Sequence, residues 1–250
     1  MPIVTIAAMV AVIILVIAVP LGTMLFLHKR DEAWTTFLIG AGTFILFAMI
    51  LEQLFHGLVL SSGIGEVIQG NIWLYGLYAG LAAGLFEETG RFLAFRFALR
   101  RQDRITSLAY GIGHGGTEAF LIAGLTMVNN LILGLTYANG GTVPDEAIPA
   151  VEALLAIPAD MFLWSGFERL TAMALHMALS VLVFASVRTS RRWLFPAAIL
   201  IHVVVDFAAV VTNLYLPVAA TELLVLMLTA VSVILAARIY KNFSQYTSGT

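Results

Sequence analysis

Carboxylate and imidazole side chains recur inside long apolar stretches of this sequence. In the apolar stretch "AGLAAGLFEETGRFLAFRF", Glu87 and Glu88 are adjacent, and Arg91 follows three residues after Glu88. Carboxylates and imidazoles act as general bases, hold water molecules and bind metal ions. Ionisable groups inside a membrane helix are costly, and most of those that persist are functional. Four pairs are spaced by four residues, which places both members on one helix face: Glu52 with His56, Glu87 with Arg91, His114 with Glu118, and His202 with Asp206.

The helices that must position these groups are predicted from composition. Of the 250 residues, 60% are hydrophobic and 11% are charged. The mean hydropathy is +0.96, which is typical of a polytopic membrane protein. We therefore predict an all-α membrane helical bundle. About 20 apolar residues cross a bilayer core, and about seven runs reach that length: near 3–27, 34–60, 71–99, 106–136, 166–187, 193–213 and 218–238.

Charge and cysteine content exclude several functions. The net charge is −2 and the chain has no basic tract, so the sequence does not indicate nucleic-acid binding. The chain contains no cysteine. This excludes a disulfide framework, a cysteine nucleophile and a cysteine-ligated metal.

Basic residues cluster in alternate connections between the apolar runs. The clusters are Lys29 and Arg30; Arg100, Arg101 and Arg104; Arg188, Arg191 and Arg192; and Arg238 and Lys241. The positive-inside rule then predicts the N-terminus outside, the C-terminus inside and an odd number of spans. We expect one integral-membrane domain, residues 1–250, with a short amphipathic helix near 145–157 on the outer side.

Ionisable groups of four predicted helices lie at a similar depth. Four of them are about ten to thirteen residues from the nearest predicted cytoplasmic basic residue, roughly 15 to 20 Å along a helix: Glu87, His114, His176 and His202. Glu118 and Asp206 lie one helical turn further out. A shared layer favours one polar site enclosed by the bundle.

Each group also has a structural interpretation. Arg91 with Glu87 or Glu88 could be a structural ion pair, because buried charges are normally paired. A single intramembrane histidine is commonly an interhelical hydrogen-bonding group. Arg169, next to Glu168 near the outer end of its span, favours an interfacial or structural role.

Two further features have more than one interpretation. Glu52 with His56 could form an outer gate, a second ligand pair or a packing network. The stretch "YGIGHGGTEAF" surrounds His114 with four glycines. These glycines could allow close approach of neighbouring helices, or leave room for water and an extended chain.

Four motifs resemble the YhfC family of bacterial membrane proteins over nearly the whole chain: "FEETGR" (86–91), "YGIGHGGTEA" (110–119), "HMALSVLVFASV" (176–187) and "IHVVVDF" (201–207). The chain is more distantly similar to the CPBP (CAAX-protease and bacteriocin-processing) and PrsW intramembrane proteases. It departs from the CPBP pattern at three points. Two residues rather than three separate Glu88 from Arg91, Tyr110 replaces a phenylalanine, and Asp206 stands where asparagine is common.

The resemblance implies a glutamate-dependent intramembrane endopeptidase in the bacterial cytoplasmic membrane. Its substrate would be a membrane protein or a lipidated peptide in the bilayer. Peptide hydrolysis needs an activated water, a base and donors for the developing oxyanion. We predict Glu87 as the base and His114 as the group that positions the water with it.

Other residues would support this chemistry. His202 would orient or stabilise the oxyanion, and Asp206 would fix the tautomer of His202. Glu88 would be the structural partner of Arg91, although Glu87 and Glu88 could exchange roles. This version of the mechanism requires no cofactor.

A zinc-dependent peptidase on the same residues is the alternative mechanism. His176 and Glu118 have no counterpart in the short CPBP motifs and enlarge the set of candidate ligands. A zinc site with an open position for water needs three or four ligands, which could come from His114, His176, His202 and a carboxylate of Glu87, Glu118 or Asp206. The zincin signature of two histidines four apart around a glutamate is absent. We therefore rank the metal-free mechanism first.

Two other classes of function remain open. A proton- or cation-coupled transporter would also place Glu, His and Asp side chains in one midplane layer, but we find no internal repeat. A non-catalytic scaffold that grips a partner helix is the third interpretation. The physiological substrate, the cleavage site and the oligomeric state do not follow from the sequence.

Overall fold

The computed structural model describes residues 1–27, 33–99 and 103–243. Within these ranges the chain forms helices and no strand, which confirms the all-α prediction. Numbered in chain order, the α-helices are α1 (Ile3–Leu27), α2 (Ala33–Leu60), α3 (Gly63–Gln69), α4 (Ile72–Leu93), α5 (Ile105–Ala138), α6 (Ile148–Ala156), α7 (Ala159–Arg188), α8 (Leu194–Tyr215) and α9 (Val218–Lys241). Helices α2 and α5 contain π-helical segments, Ile45–Glu52 and Phe120–Gly124, and α4 continues as a π-helix over Ala94–Ala98.

Six helices of the described chain are long and apolar enough to cross a membrane: α1, α2, α5, α7, α8 and α9. The chain is therefore a multi-pass membrane protein. The remaining predicted span, 71–99, coincides with α4 and its π-helical end, where Glu87, Glu88 and Arg91 add charge to an otherwise apolar helix. The total of seven spans stays a prediction.

Two predictions about the segment between α5 and α7 have different outcomes. The short helix expected near 145–157 corresponds to α6, and its place at the outer membrane surface stays a prediction. Helix α7 begins at Ala159 rather than near residue 166. The orientation of the termini also stays a prediction, because it depends in part on basic residues outside the described ranges: Lys29, Arg30, Arg100 and Arg101.

Helix α7 forms the centre of the bundle. Most of its length is buried, whereas only a minor part of the other five long apolar helices is buried. It contacts α1, α4, α5, α8 and α9. Because protein rather than lipid surrounds α7, ionisable side chains on this helix can reach partners on several other helices.

Glycines let α5 approach its neighbours closely. A methyl group at Gly111 would lie 2.7 Å from Cα of Met177 in α7, and one at Gly113 would overlap the backbone of Phe37 in α2. Close packing, one of the two predicted roles, therefore accounts for these glycines. Because these glycines have no side chains, α7 and α2 pack directly against the turn that carries His114, and His114 has no exposed surface.

Arginines join helix ends at one end of the bundle. Arg188, in the last turn of α7, donates to the carbonyl oxygens of Phe95 at 3.0 Å and of Leu99 at the end of α4. Arg104, before α5, donates to the carbonyl oxygen of Tyr240 in α9 at 2.8 Å and lies over its ring. The positive-inside rule predicts that this end is cytoplasmic.

Candidate active site

Glu87, His114 and His176 meet inside the bundle and form what we term the Glu–His–His group. They come from α4, α5 and α7, respectively. Oε2 of Glu87 lies 2.8 Å from Nε2 of His114 and 3.8 Å from Nδ1 of His176. His114 has no exposed surface, and the exposed fractions of Glu87 and His176 are 7% and 3%. The two residues expected to hold a water molecule, Glu87 and His114, are thus in direct contact, and His176 joins them.

Arg91 connects α4 to α7. Its Nη1 donates to both carboxylate oxygens of Glu88, at 2.6 and 2.7 Å, and its Nη2 donates to Nδ1 of His176 at 2.9 Å. Arg91 and Glu88 have no exposed surface. A guanidinium group carries only donors. Nδ1 of His176 therefore accepts this bond, and the neutral ring carries its proton on Nε2.

The other side of His176 faces a carboxylate. Its Nε2 lies 2.5 Å from Oε2 of Glu118 in α5. Glu118 in turn accepts a hydrogen bond from Nη1 of Arg169 at 2.7 Å, and Nη2 of Arg169 donates to Glu168. A carboxylate on the second ring nitrogen commonly fixes the orientation of a functional histidine. Arg169, for which the sequence favoured an interfacial or structural role, is thus linked through Glu118 to the Glu–His–His group.

His202 lies between two carboxylates. Its Nδ1 is 2.9 Å from Oε1 of Glu88, and its Nε2 is 3.5 Å from Oδ2 of Asp206. The sequence analysis expected His202 to orient or stabilise the oxyanion, with its tautomer fixed by Asp206. In the structure its ring contacts both Asp206 and Glu88, and the centre of the ring lies 5.4 Å from that of His176. His202 therefore borders the Glu–His–His group without belonging to it.

Carboxylates outnumber arginines around this group. The carboxylates are Glu87, Glu88, Glu118 and Asp206, and the arginines are Arg91 and Arg169. An unpaired charge in a buried site is strongly unfavourable. The excess of negative charge must therefore be balanced by protons on the histidines or carboxylates, or by a bound cation.

The Glu–His–His group fits a metal ion. Each residue offers one ligand atom, and these atoms lie within 4.8 Å of one another. In a tetrahedral zinc site the ligands lie about 2.0–2.2 Å from the metal, and hence roughly 3.3–3.6 Å from each other. Side-chain movements of about 1 Å would bring all three into range. A metal on Nδ1 of His176 would replace the hydrogen bond that this nitrogen accepts from Arg91.

A cavity of about 100 Å³ reaches the Glu87 carboxylate. At about 30 Å³ per molecule of liquid water, it holds only a few waters. One residue that lines it, Glu222 of α9, was missed by the sequence analysis. The sequence feature that could have indicated Glu222 is its position as an ionisable residue inside the predicted span 218–238. Other ionisable residues that line the cavity are Glu118, Glu168, Arg169, His176, His202 and Asp206.

Glu52 and His56 lie outside this site. Nδ1 of His56 is 2.7 Å from the hydroxyl of Tyr78 in α4, and its Nε2 is 3.2 Å from Oε1 of Glu52. We refer to Glu52, His56 and Tyr78 as the Tyr78 cluster. The structure therefore divides the predicted ionisable residues between a site inside the bundle and a second cluster between α2 and α4.

Comparison with known proteins gives the site a context. Residues 15–231 match the family described as YhfC intramembrane metalloprotease. The chain is also 35% identical over 228 residues to the "Uncharacterized membrane protein YhfC" of Bacillus subtilis (strain 168), which covers 86% of this chain and 88% of that protein. No solved structure matches the chain. The resemblance found in the motifs is confirmed: the chain belongs to the YhfC intramembrane metalloprotease family and is a membrane-embedded peptidase.

Proposed function

We propose that this peptidase hydrolyses peptide bonds of membrane-embedded substrates with a metal-activated water, and that Glu87, His114 and His176 hold the metal. The observation that carries the proposal is the buried Glu–His–His group. Two histidines and one glutamate are also the protein ligands of well-known zinc peptidases, which leave a position for water. We therefore propose zinc as the metal.

The chain's own residues prepare His176 for this role. The bond from Arg91 keeps Nδ1 of His176 unprotonated, 3.8 Å from Oε2 of Glu87, and Glu118 faces the opposite nitrogen, Nε2. The tautomer that a metal on Nδ1 requires is therefore already favoured. Arg169 holds Glu118 in place through its 2.7 Å bond. Such partners of a ligating histidine strengthen binding because they fix the ring orientation.

The chemistry that a bound zinc ion supplies is activation of a water molecule near neutral pH and polarisation of the scissile carbonyl. Asp206 is the proposed acceptor of the water's proton. Its carboxylate lines the cavity, is 33% exposed and lies 3.5 Å from His202. A partly exposed carboxylate with only this one long contact can take a proton and pass it to the leaving amine. His202, held by Glu88, positions Asp206.

This proposal differs from the mechanism that the sequence analysis ranked first. In the metal-free version Glu87 is the base, whereas here it is a ligand. The family description and the convergence of Glu87 with two histidines support the metal version. The substrate proposal is unchanged: a membrane protein or a lipidated peptide. A cavity for a few waters does not admit such a chain, so substrate binding must separate neighbouring helices.

The test combines metal analysis with a cleavage assay. We expect purified protein to carry one zinc per chain and to cleave transmembrane peptides in liposomes, and chelation to stop cleavage. Glu87→Gln and His114→Ala should lose both the metal and cleavage, because each removes one of three ligands. The readouts are elemental analysis of the protein and mass spectrometry of the peptides.

His56→Ala is the matched control, because it removes a histidine from the Tyr78 cluster. It should retain both metal and cleavage. Cleavage at the full rate by protein that lacks metal would contradict the metal centre and favour Glu87 as the base. Gradient-driven transport without any cleavage would instead support the transporter class.

A further inference from the structure

A second cavity adjoins the one at the Glu–His–His group. It has a volume of about 340 Å³ and lies between α7, α8 and α9, at the end of the bundle opposite Arg188. Glu168, Ala209 and Glu222 line both cavities, so the two spaces adjoin at these residues. The side chain of Glu168 is 42% exposed, whereas that of Glu87 is 9% exposed. The pair of cavities thus leads from an accessible end of the bundle to the buried group, and we call the outer one the acidic vestibule.

Several buried oxygen atoms along this route have no hydrogen-bond partner. They are Oε2 of Glu222, Oγ1 of Thr221 and Oγ1 of Thr229. These residues are only 8%, 3% and 2% exposed, respectively. A buried polar atom without a partner costs free energy, and in native proteins it normally has a water, an ion or a ligand as its partner. Carboxylate and hydroxyl oxygens together suit a hydrated cation.

Carboxylates outnumber arginines along the route. Glu168 and Glu118 share Arg169, whereas Glu222 and Asp206 have no arginine or lysine partner among the described ion pairs. A cleft lined by uncompensated carboxylates concentrates cations and speeds their association. Other cavities of the described chain are less suitable. Two of about 300 and 290 Å³ are lined mostly by apolar side chains, and one of about 490 Å³ contains Arg96 and Arg192.

We propose that Glu222 captures a divalent metal cation in the acidic vestibule, from which the ion passes Asp206 to Glu87, His114 and His176. This inference rests on the proposed metal centre, since a buried site of this kind needs an entrance for its ion. Glu222 acts on the approach of the metal and is not one of its final ligands. Its removal should therefore change the rate of loading but not the amount bound.

The experiment follows metal uptake rather than peptide cleavage. Chelator-stripped, full-length protein is mixed with Co²⁺ in a stopped-flow instrument, and the visible absorption of bound cobalt is recorded. We expect Glu222→Gln to lower the second-order rate constant about tenfold, within the range of electrostatic effects on association. The final stoichiometry should remain that of the parent, and Glu222→Asp should restore most of the rate. Glu66→Gln, on exposed α3, is the control and should load at the parental rate.

Each outcome decides the matter. Parental loading by Glu222→Gln would overturn the proposal, as would a lower final stoichiometry, which would make Glu222 a ligand. If Glu222→Gln does not fold, Glu168→Gln at the mouth of the vestibule serves instead, with a loading rate expected to be about threefold lower. A parent protein that takes up no cobalt would refute the metal centre itself. Failure of the entrance and failure of the proposed function are therefore distinguishable.

Discussion

The Tyr78 cluster and the Glu–His–His group are built from similar side chains but have different surroundings. In the Tyr78 cluster, His56 bonds to Glu52 on its own helix and to Tyr78 on one neighbour, and its side chain is 22% exposed. The adjoining segment of α2, Gln53–Leu60, contains no buried residue. In the Glu–His–His group the side chain of His114 is fully buried, and three helices contribute.

The two regions differ in the contacts that residues four apart on one helix make. Glu52 and His56 contact each other, as their spacing predicts. His114 and Glu118 share a helix face as well, but each contacts a residue of another helix: Glu87 for His114, and His176 for Glu118. At Glu52 and His56 the spacing of four thus produces a contact within one helix, with one bond to a neighbouring helix through Tyr78. At His114 and Glu118 both members contact other helices, so the number of helices that meet distinguishes the site.

The largest expected effect concerns the most buried charge of the site. Arg91→Met removes the cation that bonds both oxygens of Glu88, and both residues are fully buried. A buried carboxylate left without its partner costs about 3–5 kcal/mol. We therefore expect the free energy of unfolding in detergent to fall by about that amount. Denaturant titration followed by circular dichroism measures it.

Arg96→Met is the control for this prediction, because Arg96 follows α4 and is exposed. Its effect should stay within about 0.5 kcal/mol. The double variant Arg91→Met with Glu88→Gln should recover part of the loss, since it also removes the unpaired charge. Equal stability of Arg91→Met and Arg96→Met would show that the centre of the bundle is no more sensitive to charge than its edge.

A smaller effect is expected where a carboxylate only orients a ligand. Glu118→Gln weakens the contact with Nε2 of His176 while the Glu–His–His group stays complete. Loss of such a partner typically lowers metal affinity by about 10–100-fold. Zinc affinity measured against a competing chelator should show this loss. Glu66→Gln, which removes an exposed carboxylate of α3, is the control and should leave zinc affinity unchanged. Equal affinities of the two variants would mean that Glu118 does not act through His176.

The helices of this bundle could be predicted because bilayer thickness fixes the length of an apolar run. The shared depth of Glu87, His114 and His176 could be predicted as well, since residues are counted along each helix at a constant rise. A single sequence does not show how each helix is rotated about its axis or which helices it packs against. The sequence therefore did not show which of the two adjacent glutamates His202 contacts, and in the structure it is Glu88.

Two residues of the site show a second reason for incomplete prediction. The role of Arg169 was judged from its depth near one end of a span, but a long arginine side chain reaches Glu118 in another helix. Glu222 is an isolated acidic residue near the start of α9, and no partner in sequence indicated that it faces the site cavity. Both are positioned by contacts between helices that are distant in sequence.

The smallest expected effect tests whether the Tyr78 cluster is separate from the chemistry. Tyr78→Phe removes the hydroxyl that lies 2.7 Å from Nδ1 of His56 but keeps the ring, which stacks on Phe55 with centroids 6.1 Å apart. A single hydrogen bond of this kind contributes about 0.5–1.5 kcal/mol, and less when water can replace the partner. Unfolding should shift by no more than that, with unchanged zinc content and cleavage. Tyr215→Phe, at an exposed position, is the reference. A tenfold loss of cleavage in Tyr78→Phe, without loss of zinc, would show that the α2–α4 contact takes part in catalysis, because a merely structural bond would change stability alone.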